Sequence, residues 1–191
     1  MPDSQRRTRP DEAPSRDVVR RFVEHWGAMA RLWGINSTMG EIFALLFLSG
    51  REWTAHELRE HLRVSRGNVS MNLRELLSWG VIHKAHRHGD RRDYFRAETD
   101  VWTLFRRIIT ERKRRELEPT LHLLRQTVVQ LGPFTDETSL RAQALFRFFA
   151  TIDQLADRLI ALQPHELQNL LTLLDSHDQQ PANPSPAPRL A

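Results

Sequence analysis

The sequence predicts a mainly helical fold with one small β-hairpin, and three observations predict it. The first is residues 64–97, VSRGNVSMNLRELLSWGVIHKAHRHGDRRDYFRA, which read as a short helix followed by two strands. The second is a pair of long helical periodicities on either side of that segment. The third is charge. Residues 63–96 hold eight arginines and lysines against three acids, a net +5 in a chain whose total is +4. The positive charge is therefore local, as a phosphate-binding surface requires.

Within the central segment, Val69, Leu73, Leu76 and Leu77 recur at the spacing that gathers side chains on one helical face. Ser65 is the expected N-cap, its hydroxyl accepting from an unpaired N–H of the first turn. Gly80 is the expected stop, since glycine takes the left-handed conformation without a Cβ clash. The opposite face carries small or polar groups, Gly67, Asn68, Ser70, Met71 and Arg74, able to enter a groove. Strand-like runs at Val81–His86 and Asp93–Ala97 flank a Gly-Asp-Arg-Arg tip. A helix followed by a charged hairpin outlines a winged helix-turn-helix.

In chain order, residues 1–14 are rich in Pro, Arg and Asp and read as a disordered tail. A helix over 15–33 follows, with Val19, Phe22, Trp26, Met29 and Trp33 forming a narrow seam suited to packing along a second subunit. After the turn at Gly34–Ser37, Ser37 or Thr38 is the expected cap of a central helix, 39–49, closed by Gly50. Thr54 and Glu57 make a capping box for a short helix that leads through Arg63-Val64 into the recognition helix. The head thus occupies 34–99. A helical dimerisation and sensor region is expected over 100–175: one long helix to 131 that Pro119 must kink or split, a second at about 136–162, and a short one from Pro164 to Leu174. ERKRRE at 111–116 reads as a solvated charged turn, and the Pro-rich stretch 176–191 as a disordered tail.

Composition excludes several classes. The absence of cysteine removes disulfides, thiol catalysis and Cys-ligated zinc. The longest apolar run, Ile42–Leu48, falls far short of the roughly 20 residues of a membrane span. No apolar signal region follows the N-terminal arginines, so a cytoplasmic protein is expected. There is no phosphate-cradling glycine loop, no G-x-S-x-G and no H-E-x-x-H, so no enzyme and no cofactor is expected. His83, His86 and His88 do not share one strand face, so no metal is expected there.

With these residues in view, the sequence resembles the MarR superfamily of winged-helix regulators, and within it the GbsR-like branch. The likeness lies in WGINSTMGEIFALLFLSG and in ELREHLRVSRGNVSMNLRELLSWGVIHKAHRHGDRRDYFRAETDVW. Ser-Arg-Gly-Asn-Val-Ser and Gly-Asp-Arg-Arg-Asp-Tyr are its specific elements, and it covers residues 20–130 in outline. The resemblance implies a homodimer on a pseudo-palindromic operator. It also suggests a ligand, since some members of the branch respond to choline or glycine betaine, although no motif here carries that specificity.

The expected DNA-binding residues are Ser65, Arg66, Gly67, Asn68, Ser70 and Arg74 on the recognition helix, with Arg87, Arg91 and Arg92 on the wing. Arg66 reaches phosphate or a guanine edge, Gly67 lets the backbone approach, and Arg91 and Arg92 suit a narrow minor groove. Asp90 and Asp93 are expected to hold the arginines by charge-assisted hydrogen bonds. Trp26, Trp33, Trp102 and Phe105 are the candidates for an aromatic box around a small organic cation, against the simpler reading of a helical core stripe. The function expected is a sequence-specific, homodimeric transcriptional regulator, a repressor in its simplest form. A sequence-tolerant architectural protein and a winged-helix protein–protein adaptor are the competing classes.

Overall fold

The computed structural model describes residues 16–132 and 136–178. The tail expected at 1–14 lies outside them, as does the tail expected at 176–191 except for residues 176–178, which are helical. The chain divides into two compact units, with the boundary between Ile108 and Ile109.

The first unit begins with α1 (Arg16–Leu32) and α2 (Ser37–Ser49). Two glycines let these helices cross closely: a Cβ on Gly40 would stand 2.6 Å from the Cβ of Ala30 and 3.1 Å from the carbonyl of Trp26. The seam expected on α1 turns partly inward, with Val19 and Phe22 packed on the core of their own chain while Trp26 and Trp33 stay half-exposed. The fully buried positions of α1 are Val23, Gly27 and Ala30. α2 is the central helix, with Ile42, Leu45 and Leu46 all sealed from solvent. Its cap is Asn36, not Ser37 or Thr38: the Asn36 side chain accepts from the Thr38 N–H at 2.9 Å. Asparagine serves there as well as a hydroxyl, so the helix starts one residue after it.

A two-residue strand β1 (Trp53–Thr54) leads directly into α3 (Ala55–Leu62), whose capping box is complete. The Thr54 N–H donates to Glu57 Oε2 at 2.7 Å and the Glu57 N–H donates to Thr54 Oγ1 at 3.2 Å. Arg63 turns the chain in a left-handed conformation, φ 55°, into α4 (Arg66–Ser78). Ser65 caps α4 through the Asn68 N–H at 3.2 Å. At its other end the Val81 N–H reaches the Leu76 carbonyl and the Gly80 N–H the Leu77 carbonyl, with Gly80 at φ 72°. That is the Schellman arrangement, completed by the burial of both Leu76 and Val81 in the core.

The hairpin is β2 (Ile82–Ala85) with β3 (Tyr94–Ala97), antiparallel in the register Ile82 to Ala97 and Ala85 to Tyr94. β1 adds to the far side of β3, so the sheet order is β1-β3-β2. Ile82, Phe95 and Ala97 press into one cluster with Ile42, Leu46, Leu58, Val69, Leu73 and, from α5 (Val101–Arg112), Leu104. Each fully buried aliphatic side chain of this kind stabilises the fold by about 1.5–3 kcal/mol, so the recognition helix and the wing share a single rigid base.

In the second unit, Pro119 does not end the helix. The chain passes from α5 through a widened turn, Lys113–Leu117, into α6 (Glu118–Leu131). There the Glu118 N–H reaches back five residues to the Lys113 carbonyl. Proline has no N–H to offer the regular ladder, and the loose turn directly before it absorbs the mismatch. The charged run in this turn is not simply solvated. Glu111 is buried and paired with Arg114 and Arg115, and Lys113 is covered while paired with Asp153 and Asp157. The two aspartates belong to α7 (Glu137–Ala161), which Asp136 caps through the Thr138 and Ser139 N–H groups. α8 (Pro164–Asp178) begins at the expected proline and runs past Leu174. Among the described residues, no helix is long and apolar enough to cross a membrane.

Candidate nucleic-acid interface

α4 and the wing enclose an open groove of about 630 Å³. Its floor is apolar, made by Val69, Leu73, Leu77 and Phe95. Its rim is mostly basic, with His56 and Arg59 from α3, Arg66 and Arg74 from α4, Lys84 from β2 and Arg92 from the wing, and Asp93 as its one acid. The capping box places His56 and Arg59, and the Schellman end of α4 sets the angle at which the hairpin leaves. Ser70 also lines the groove. Nothing in the sequence singles out His56 and Arg59, because only the fold turns α3 toward the wing.

Among the residues expected to face DNA, Arg66, Arg74 and Arg91 are exposed and make no ion pair among the described residues. Gly67 and Ser70 are likewise exposed, and Ser65 is exposed while its hydroxyl caps the helix. Asn68 is placed differently. Its amide donates to Thr38 Oγ1 at 3.1 Å, and its side-chain oxygen accepts from Asn72 Nδ2 at 2.6 Å. Asn72 is buried and also donates to the Asn68 carbonyl at 2.8 Å. This chain of amides ties α4 to the start of α2, and it engages both ends of the Asn68 side chain.

The wing tip is a closed ionic knot. Arg92 donates through Nε to Asp90 Oδ1 at 3.0 Å and through Nη2 to Oδ2 at 2.6 Å, while its backbone N–H donates to Oδ1 at 2.9 Å. The Tyr94 hydroxyl donates to Asp90 Oδ2 at 2.7 Å and accepts from Arg92 Nη2 at 2.8 Å. These bonds, those from Arg92 foremost, hold the Asp90 carboxyl well below the usual carboxylate range. The same pairing raises Arg92, and the bond to Asp90 raises the Tyr94 phenol. Asp93 does not hold an arginine as expected. It accepts from Lys84 at 2.7 Å, which lowers its own titration. Arg87 lies over the Tyr94 ring, 4.1 Å from its centroid, and donates to Glu52 Oε2 at 3.0 Å. It braces the root of the hairpin, so Arg91 is left as the unpaired cation of the tip among the described residues.

His83 meets Glu98 Oε2 at 3.3 Å and Arg107 at 3.4 Å, and Arg107 donates to the Gly80 carbonyl. α5 is thereby fastened to the end of the recognition helix. The Glu98 carboxyl, which accepts from the Asp100 and Thr99 N–H groups as well as from His83, is held low.

The four aromatic candidates do not converge. Trp26 and Trp33 line a cavity of about 80 Å³ in the first unit, together with Met29, Met39, Phe43, Trp79 and Ile108. Trp102 and Phe105 are not among its lining residues and stack on each other at 5.0 Å. Trp79 takes their place. In the sequence it marks only the end of the recognition helix, and only the fold brings it beside α1 and α2 residues in the cavity wall.

A capped short helix, a recognition helix and a three-stranded wing with a basic groove between them define a winged helix-turn-helix DNA-binding head. Residues 33–93 match the model of the MarR family. The chain is similar to the HTH-type transcriptional repressor GbsR of Bacillus subtilis, 25% identical over 117 residues, which is 61% of this chain and 63% of that protein. It is also similar to the HTH-type transcriptional repressor OpcR of the same organism, 26% identical over 93 residues, 47% of this chain and 50% of that one. The chain thus spans about half to three-fifths of the length of these relatives. A solved structure described as that of a transcriptional regulator shares the fold, with a TM-score of 0.60 and 23% identity, over 75% of this chain and 96% of that one.

Proposed function

We propose that the protein is a sequence-specific transcriptional regulator that binds a pseudo-palindromic operator as a homodimer. The observation that carries this reading is the groove between α4 and the wing, whose apolar floor is rimmed by Arg66, Arg74, Lys84 and Arg92. A helix enters the major groove of B-DNA, and the cations beside it neutralise the flanking phosphates. GbsR and OpcR are both described as repressors, and we extend that role to this chain. Self-association is supported by α7, which exposes Leu145, Phe148, Ile152 and Leu155 along its length. Contiguous apolar surface of this kind marks an interaction site. Two copies of the head then meet successive major grooves.

The cavity walled by Trp26, Trp33 and Trp79 supports a ligand-responsive regulator, with a small organic cation such as choline or glycine betaine as the effector to test. Aromatic faces attract a quaternary ammonium. An apolar cavity of about 150 Å³ takes benzene, so at about 80 Å³ this one admits a trimethylammonium head group only if half-exposed Trp33 yields.

The test is competition of a selected DNA site against bulk genomic DNA at several salt concentrations. A regulator gives a specificity ratio of roughly a thousand or more and a steep loss of affinity with salt. A ratio near unity indicates an architectural protein, and absence of salt-dependent binding indicates an adaptor.

A further inference from the structure

The outward face of α4 holds two residues that the basic groove does not explain. Met71 is 52% exposed. At 3.6 residues per turn it stands opposite the buried stripe of Val69, Leu73 and Leu76. It therefore crowns the helix, whereas Arg66, Ser70 and Arg74 line the flank turned toward the wing. One turn before it is Gly67. A Cβ at Gly67 would meet nothing within 4 Å, and its φ is not positive. Neither packing nor backbone conformation within the chain calls for a glycine there, and glycine is a poor helix former. The space beside Met71 is therefore open.

A single exposed apolar residue is ordinary on a protein surface. This one sits at the summit of the helix that enters the major groove, beside a gap left by a missing side chain. The edges that DNA presents in that groove are hydrogen-bond donors and acceptors, with one apolar group among them, the C5-methyl of thymine. A thioether has no proton to donate and is flexible and polarisable, well matched to a methyl and poorly matched to a polar edge.

We propose that Met71 is a specificity-determining residue that packs on the C5-methyl of a thymine in each half-site, with Gly67 allowing the helix to seat deeply enough for the contact. The inference rests on the DNA-binding reading above. It names the base-edge chemistry that reading leaves open, and it assigns the arginines of the groove to phosphate and to polar base edges.

The experiment uses the full chain and a site selected by it from a random DNA pool. Each thymine of that site is replaced in turn by deoxyuridine, which lacks the methyl and keeps every hydrogen-bonding group. For the unaltered protein, one thymine per half-site should lose affinity roughly three- to five-fold when replaced, and roughly fifteen-fold when both are replaced, as expected for one buried methyl at each. Met71→Ala should bind the thymine and uracil sites equally. Met71→Gln, similar in length but polar, should also lose the distinction while keeping the salt dependence of the unaltered protein. Both variants should melt with the unaltered protein because the side chain is exposed, and the glutamine variant decides the matter if the alanine variant is unstable. Equal uracil penalties in the unaltered and variant proteins, or no penalty at any thymine, overturn the inference alone. A pool in which no site is enriched overturns the sequence-specific reading and this inference with it.

Discussion

Removing the hydroxyl of Thr38 tests whether Asn68 belongs to the scaffold or to the reading surface. Thr38 is buried, and its oxygen accepts the Asn68 amide at 3.1 Å. In Thr38→Val the shape is kept and the acceptor removed, which leaves one half-buried N–H without its partner. A donor stranded in this way costs about 1–3 kcal/mol. Because Asn68 is only half-buried and can turn toward water, the lower end applies, about 1 kcal/mol. Asn72→Ala removes two bonds to Asn68, at 2.6 and 2.8 Å, and opens space in the core, so about 2–3 kcal/mol is expected. Equilibrium urea unfolding at fixed protein concentration reads both effects. With a slope of roughly 2–3 kcal/mol per molar urea, the midpoint should fall by roughly 0.4 M for the first variant and roughly 1 M for the second. Because the two changes act on one relay, their double mutant should cost less than the sum. Specific DNA affinity should fall in both, with no change in which base is preferred. If Thr38→Val leaves stability untouched but alters the preference at one base pair, Asn68 turns outward in the complex and the scaffold reading is refuted.

Replacing Arg91 and Arg92 together by alanine should weaken DNA binding and flatten the plot of log affinity against log salt by about 0.9 for each phosphate no longer neutralised, and an unchanged slope would remove the wing from the interface. Glu111 is held below its ordinary value, chiefly by Arg114. A carboxylate with a lowered folded value gives stability that is present above its unfolded value, near 4.5, and lost as pH falls through the folded one. Glu111→Gln should therefore flatten the acid limb of stability below about pH 4.5, and acid melts that superimpose on those of the unaltered protein would show the pairing to be inert. Charges placed on α7, Phe148→Asp with Ile152→Asp, should halve the mass seen by sedimentation at micromolar concentration, and an unaltered chain that is already monomeric would refute the dimer outright. Calorimetric titration with choline and glycine betaine should give heat that Trp79→Ala abolishes, whereas equal heat from an uncharged isostere would return these aromatics to the core.

Much of the head was legible because local chemistry and tertiary packing agree there. Ser65, Thr54 with Glu57, and Gly80 all act at the ends assigned to them, since capping depends on a few consecutive residues. β1 was not legible. Two residues carry no periodicity, and Trp53 and Thr54 become a strand only because β3 lies alongside. The role of Asn68 was also hidden, because its partner Thr38 lies 30 residues away and on another helix. The run at 111–116 looked solvated since charge is normally solvated. Asp153 and Asp157, about forty residues on, give Lys113 a paired, largely covered role that the run itself does not announce. The aromatic candidates failed as a group for the same reason. Helical spacing shows which rings share a face of one helix, whereas a cavity is a property of several.

The short sheet also bears on how the protein stays in solution. A strand at the rim of a sheet offers unpaired N–H and C=O groups to any other chain, and long flat rims seed aggregation. Here β3, the strand with Phe95 and Ala97 facing the core, is paired on both sides and has no rim to offer. One rim, β1, is two residues long and runs straight into a helix, so an incoming strand finds almost nothing to extend. The other, β2, is four residues long and bears Lys84, a charge of the kind that discourages edge-to-edge addition. A hairpin that must project from the body to do its work is therefore kept from templating fibrils by its brevity on one side and its charge on the other. Lengthening β2 toward the tip with Val or Ile in place of His86 and His88 should make the protein precipitate before it loses its fold.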